Sequence, residues 1–306
     1  MTSCIIFVAL FFFTALSYSQ TAGAPQKRYS SPEKAVNGLI AAVRANDTKT
    51  MLAILGPGSK DMISSGDVVA DRTGREKLLK AYDENNILQQ GAKDKWVLSV
   101  GKDNWPMPIP VVKKGGKWIF DAQEGRKEIL YRRIGRNELQ VMNVLHAYVY
   151  AQHEYASKDC MGGGKVEFAQ RLISTKGKHD GLYWETNDGE EESPLGPLMA
   201  QAAEEGYSNE NLSPFHGYYF RILNEEGPNA SGGAYNFVVN GKMILGFALL
   251  AYPAEYGNSG VMTFMVNQGG IIYEKNLGKD SKRKAEAMKL FDPDHTWKKN
   301  EETTER

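Results

Sequence analysis

Residues 246–278 constrain this chain more than any other stretch. Three apolar runs rich in β-branched and aromatic residues, 247–252, 261–266 and 271–273, alternate there with turn residues, from Pro253 to Gly260 and from Asn267 to Gly270. Short apolar runs bounded by Gly, Pro, Asn and Ser spell antiparallel strands joined by turns. A chain that carries them must build a sheet and must then cover it.

The residues upstream extend that sheet. Residues 218–223 and 235–239 read as strands, and Asn240-Gly241 between Val239 and Lys242 is a strong hairpin signal. Together with 242–252, 260–266 and 271–275 they make about five strands. The cover is a long helix over 137–157, in which Leu139, Met142, Leu145, Tyr148 and Val149 recur at the helical period. A short helix is expected over 197–205, and Asp280 is placed to cap a basic helix over 281–291. Residues 133–298 thus predict a long helix packed on a four- to five-stranded antiparallel sheet, followed by a charged tail at 299–306.

The first part of the chain reads differently. Ser31-Pro32-Glu33 opens a helix that carries Val36, Leu39, Ile40 and Val43 on one face. A second helix runs from Asp47 to Leu55 and stops at Gly56-Pro57, and a third is expected over 75–82. The period then changes to that of a strand at 95–100. Residues 104–112 hold three prolines in five positions, which predicts an edge or extended segment. Lys114-Gly115-Gly116-Lys117 turns into a further strand at Trp118. Residues 31–132 are therefore expected to form an N-terminal α+β domain with a small curved antiparallel sheet, linked onward by the charge-rich 124–133. The fold class is α+β.

Ahead of both parts, 5–16 is an apolar run too short to span a bilayer, and the small residues Ser17 and Ser19 follow it. That pattern predicts a signal peptide over 1–19, cleaved after Ser19, with a spacer at 20–30. The mature protein is expected in the periplasm or outside the cell, and not as an integral membrane protein. Cleavage leaves Cys160 as its one cysteine, so no disulfide framework forms in the monomer. Its glycine-rich neighbours make it an incidental thiol.

Charge excludes one partner class. Lys and Arg number 37, as do Asp and Glu, and no basic tract interleaved with aromatics stands out, so a nucleic-acid partner is not expected. Catalytic and cofactor motifs fail on spacing. Asn258-Ser259-Gly260 is followed by Val261 where a nucleophile elbow needs glycine, and 162–165 lacks the spacing of a phosphate loop. His146 and His153 stand seven apart without the i, i+4 pairing of a zinc helix, and the acidic run 188–192 lacks the order of a calcium hand. No cofactor or metal is expected.

Two candidate sets remain. Asp180 and Glu185 flank Tyr183 and Trp184, and paired carboxylates beside aromatics are what a hydrolase of an envelope glycan or peptide uses. Trp105, Tyr183, Trp184, His216 and Tyr218 offer amphipathic rings for a ligand or partner surface. The same residues also fit a turn leading into a half-buried strand, with rings that serve the core.

Several stretches are long enough to carry a resemblance: 105–110 (WPMPIP), 132–139 (RRIGRNEL), 151–156 (AQHEYA), 180–184 (DGLYW), 193–197 (SPLGP) and 216–219 (HGYY). In these the chain resembles an uncharacterised family of exported bacterial proteins, domain of unknown function 2950. The resemblance covers nearly all of the mature chain and implies a bacterial protein with a signal peptide, but no established catalytic residues. Helices followed by a small sheet ending in a Gly-Lys-Trp strand also look like the cone-shaped nuclear-transport-factor-like fold. The long helix, the strand at 218–223 and the strand–turn pattern of 246–278 distantly resemble the globular head of a pilin or pseudopilin. The helix lacks the apolar half that polymerises in pilins. These readings converge on a non-catalytic binding or structural module of the envelope or periplasm, with an envelope protein or polymer as partner. The alternative is the hydrolase built on Asp180 and Glu185.

Overall fold

A computed structural model describes residues 25–300, apart from 159, 161–165, 187–188, 190 and 208–213. The expected signal peptide, the glycine run after Cys160, part of the acidic run at 188–192 and the end of the charged tail lie outside the described residues.

Helix boundaries in the first part follow from capping. In α1 (Pro32–Arg44) the Ser31 side chain accepts from the Lys34 N–H, and Pro32 occupies the first helical turn. In α2 (Thr48–Leu55) Asp47 accepts from the Thr50 N–H at 2.9 Å, and Gly56, at φ +89°, ends the helix. A single turn, α3 (Lys60–Ile63), precedes α4 (Val68–Glu84), whose N-cap is Asp67. The helix expected over 75–82 is thus only the second half of a longer one.

Five strands follow: β1 (Asn86–Ala92), β2 (Lys95–Val100), β3 (Trp105–Pro106), β4 (Val111–Lys114) and β5 (Lys117–Phe120). They form an antiparallel sheet in the order β1-β2-β4-β5, with β3 also on β2. Gly115 and Gly116 have φ +60° and +74°, so the two-residue turn from β4 to β5 needs glycine for its left-handed backbone. The proline-rich stretch divides: Trp105–Pro106 makes a short pairing, whereas Val111 and Val112 enter an interior strand once the prolines end. Against the sheet pack Val36, Leu39, Ile40, Val43, Met51 and Ile54, all buried.

The largest departure from the sequence reading is α5 (Ala122–Ser157), a single helix of 36 residues. At 1.5 Å per residue it is about 54 Å long. The charged 124–133 segment is its first part and not a linker. Only Gly125 and Leu130 are buried there, too few to show a period, while Lys127, Glu128 and Arg132 face outward. Farther along, Val141, Leu145, Tyr148, Ala151 and Tyr155 are buried in a second core. One helix therefore serves both cores.

That second core is built on α6 (Gly196–Glu204), β6 (Tyr218–Leu223), β7 (Glu225–Glu226), β8 (Tyr235–Asn236), β9 (Val238–Val239), β10 (Lys242–Met243), β11 (Ala248–Pro253), β12 (Thr263–Asn267), β13 (Tyr273–Lys275), α7 (Ser281–Ala287), β14 (Leu290–Phe291) and β15 (Lys298–Lys299). The main sheet is antiparallel, in the order β15-β13-β12-β11-β6. Residues alternate across its faces. On β6, the Tyr218 hydroxyl donates to Glu138 of α5, whereas Arg221 donates to the Ala285 and Met288 carbonyls at the end of α7. The two helices therefore cover opposite faces, and every residue of β11 and β12 is buried.

The expected strand at 235–239 splits. Its first half pairs with β7 and its second makes the Asn240-Gly241 hairpin with β10, so neither joins the main sheet. The 299–306 tail begins inside structure, because Lys298–Lys299 pairs with β13 at the sheet edge. Among the described residues, no helix is long and apolar enough to cross a membrane.

Candidate functional site

Four helices turn an i, i+4 pair toward one space: Leu39 and Val43 on α1, Met51 and Leu55 on α2, Asp71 and Arg75 on α4, Ile129 and Arg133 on α5. Between them lies a cavity of about 210 Å³, closed on the sheet side by Met107 and Ile109. Leu39, Val43, Met51, Leu55 and Ile109 are buried and carry no polar side-chain atom. The exposed members of the lining, Gly74 and Arg136, mark its mouth.

The mouth is cationic. Asp71, Gly74, Arg75 and Leu78 share one face of α4, and Ile129, Arg133, Arg136 and Asn137 share one face of α5. Asp71 accepts from both the N–H and the hydroxyl of Ser65, at 3.0 and 2.8 Å. Arg75 donates from Nη1 to the Ile63 carbonyl at 3.2 Å, while its buried Nε has no acceptor. Arg133 donates to the carbonyls of Asp61 and Met62 and to Oδ1 of Asn258. Burial pushes the Arg133 guanidinium below its usual range and Arg136 beside it adds to the effect, against the attraction of Asp71, Asp61 and Glu255. None of Arg75, Arg133 and Arg136 forms an ion pair among the described residues. Arg44, Arg72, Arg126, Arg132, Arg171 and Arg283 all do.

The same end of the cavity fastens the two parts of the chain together. Asn137 donates to the Ser259 carbonyl at 2.9 Å, and Asn258 donates to the Ser64 carbonyl at 2.9 Å. Buried Asp67 caps α4 through the Ala70 N–H and accepts from the Tyr207 hydroxyl and the Gly217 N–H, at 2.9, 2.8 and 2.9 Å. Burial, with the Asp67 carboxylate alongside, holds the Tyr207 hydroxyl protonated far above its ordinary range.

The residues singled out in the sequence do not meet in one place. Asp180 accepts from the N–H and hydroxyl of Thr175 at 2.7 and 2.9 Å, closing a turn, and lies 3.7 Å from Arg171. Burial opposes it, but those bonds and that charge hold its carboxyl below the usual range. Glu185 is exposed. Tyr183 packs half-buried on the second core, and Trp184 stacks on the His179 ring at 4.2 Å. Trp105 is exposed and carries the Arg132 guanidinium at 4.7 Å from its ring.

Tyr218 corrects its assignment to a surface. It is fully buried, and its hydroxyl bonds Glu138 and the Met262 carbonyl, because inward alternation on β6 points it at α5. His216 lies at the joint, half-buried, with Nδ1 3.7 Å from Glu205. Ser259 is buried, and its hydroxyl accepts from the Glu255 N–H at 2.9 Å in the turn before β12.

The cavity was not singled out in the sequence, since its walls read as ordinary core. The readable signal is the aligned face Ile129, Arg133, Arg136 and Asn137, and the charge of 124–133, which has the composition of a linker, hides it.

Fold and cavity define an α+β protein with an apolar, arginine-rimmed chamber between its first helices and its longest one. The chain belongs to the family described as Protein of unknown function (DUF2950), which matches residues 26–300. No curated protein matches the chain, and no solved structure matches it. Among the described residues, no three His, Cys, Asp or Glu side chains converge on a metal position.

Proposed function

We propose that the protein is an exported, non-catalytic binding module of the cell envelope that holds a small ligand with an apolar body in the cavity bounded by α1, α2, α4 and α5. The observation that carries this reading is the size and lining of that cavity. A cavity of about 150 Å³ takes a benzene molecule, so 210 Å³ has room for about eight non-hydrogen atoms. A ligand with an apolar body gains by burial against this apolar lining, at about 25 cal/mol per Å² of apolar surface removed from water. The charged groups of the rim favour binding over catalysis, because arginines stay protonated and serve as neither acid nor base near neutrality.

Titration of the purified protein with 1-octanol tests the reading. Saturable binding is expected, with a stabilisation of about 2.7 kcal/mol at one hundred times the dissociation constant. Leu78→Trp, which fills the space, should abolish it. An alcohol that leaves the unfolding midpoint unchanged contradicts the reading. Export is tested separately by fractionation, and a protein found only in the cytosol contradicts that part.

A further inference from the structure

We propose that the ligand of this cavity is an amphipathic monoanion, a carboxylate whose tail lies among Leu39, Val43, Met51 and Leu55 and whose head group is held by Arg75 and Arg136, with Arg133 behind them. The inference rests on the binding reading above and adds the chemical class of the ligand.

Three observations carry it. The first is charge. Three guanidinium groups line the cavity beside one carboxylate, Asp71, whose acceptors already serve Ser65. These three arginines have no ion-pair partner among the described residues, whereas Arg44, Arg72, Arg126, Arg132, Arg171 and Arg283 each have one. Cations that outnumber the carboxylate beside them at the mouth of an apolar chamber favour an anion there.

The second is an unmade hydrogen bond. Nε of Arg75 is buried and has no acceptor, and an orphaned donor of this kind is destabilising until an acceptor arrives. A carboxylate fits the planar fork of an arginine with two parallel N–H···O bonds, which an alcohol cannot do.

The third is polarity along the cavity. The end toward α1 and α2 has no polar side-chain atom, whereas the end toward α4 and α5 carries every charge. A ligand with one apolar and one anionic end therefore fits in a single orientation. About eight non-hydrogen atoms fill the chamber, the size of a medium-chain fatty acid. Arg133 donates already to two carbonyls and Asn258, so Arg75 and Arg136 are the two with donors left for the head group.

Isothermal titration of the purified protein with octanoate and with 1-octanol, at neutral pH and low salt, separates this inference from the reading it rests on. Octanoate is expected to bind at least about tenfold more tightly than 1-octanol, the effect of one or more charge-assisted hydrogen bonds. In the double variant Arg75→Gln, Arg136→Gln that preference should shrink to within about twofold. Far-UV circular dichroism reports that the variant is folded. Equal affinities in the wild type overturn the anion while leaving the cavity reading in place, and a preference that survives the double variant overturns the assignment of the head group to Arg75 and Arg136. Failure of both compounds to bind overturns the two together.

Discussion

Removing the Asp67 side chain should loosen the junction between the two parts of the chain. Asp67 is 1% exposed. One of its oxygens caps α4 at the Ala70 N–H, and the other accepts from Tyr207 and Gly217, on the far side of the junction. Loss of a helix cap costs about 1 kcal/mol. Each of the other two bonds goes to a charged acceptor and is worth about 1.5 kcal/mol or more. Asp67→Ala should therefore cost about 4 kcal/mol, and it leaves the Tyr207 hydroxyl and the Ala70 and Gly217 N–H groups without the acceptor they share. Tyr207→Phe removes one of the three bonds and should cost about 1.5 kcal/mol. The assay is urea unfolding followed both by fluorescence and by far-UV circular dichroism. With a slope of about 3 kcal/mol/M, the Asp67→Ala midpoint falls by more than about 1 M. A shift corresponding to less than about 1 kcal/mol would refute the claim that this carboxylate ties the parts together.

Other outcomes follow from the same geometry. Gly74 and Gly135 are helical, and a Cβ at either meets nothing within 4 Å, so alanine should stabilise by about 0.5–1 kcal/mol at each position. Gly125 is also helical, but its Cβ would lie 2.5 Å from the Pro108 carbonyl oxygen, so Gly125→Ala should cost about 1–3 kcal/mol in the same unfolding assay. Stabilisation at Gly125 would contradict the close approach of α5 to the backbone before β4. His216 gives a pH signature. Burial holds its pKa below the 6.5 of the unfolded chain, against Glu205 and Asp67 and with the aid of Arg136. The unfolded chain then binds the proton more readily, so this contribution is complete above 6.5 and is lost as pH falls through the lower folded value. His216 sits at φ +50°, a conformation asparagine accepts, so His216→Asn should lose less stability than the wild type between pH 7.5 and 5.5. A wild type that loses no more than this variant would contradict that direction.

Much of the scaffold was legible because its signals are local. Ser31-Pro32-Glu33, Asp47 with Gly56, Gly115-Gly116 and Asn240-Gly241 each fix a backbone conformation within a few residues, and the structure places a cap or a turn at every one. What was lost depends on tertiary contact. The first third of α5 buries too few residues to show a period, since Gly125 serves there by being small. Edge strand β1 buries none of its residues and leaves no alternation to read. The split of 235–239 between two small sheets follows from pairings with Glu226 and Met243, which local pattern does not encode. The cavity was illegible for a further reason. Leu39, Met51 and Ile109 have the same apolar spelling whether they touch one another or surround a space. Only the arginines on α4 and α5 distinguish the two, and only once those helices are known to face each other.

The central claim, that this space is a binding site, is tested most directly by the methionine methyl groups. Met51, Met62 and Met107 line the cavity, while Met243 and Met265 lie buried in the second core. In a methyl NMR titration of methionine-labelled protein with 1-octanol, saturable shifts are expected at Met51, Met62 and Met107, with Met243 and Met265 unmoved. If the first three stay fixed at saturating alcohol, or all five move together, the cavity is not the site and the account fails.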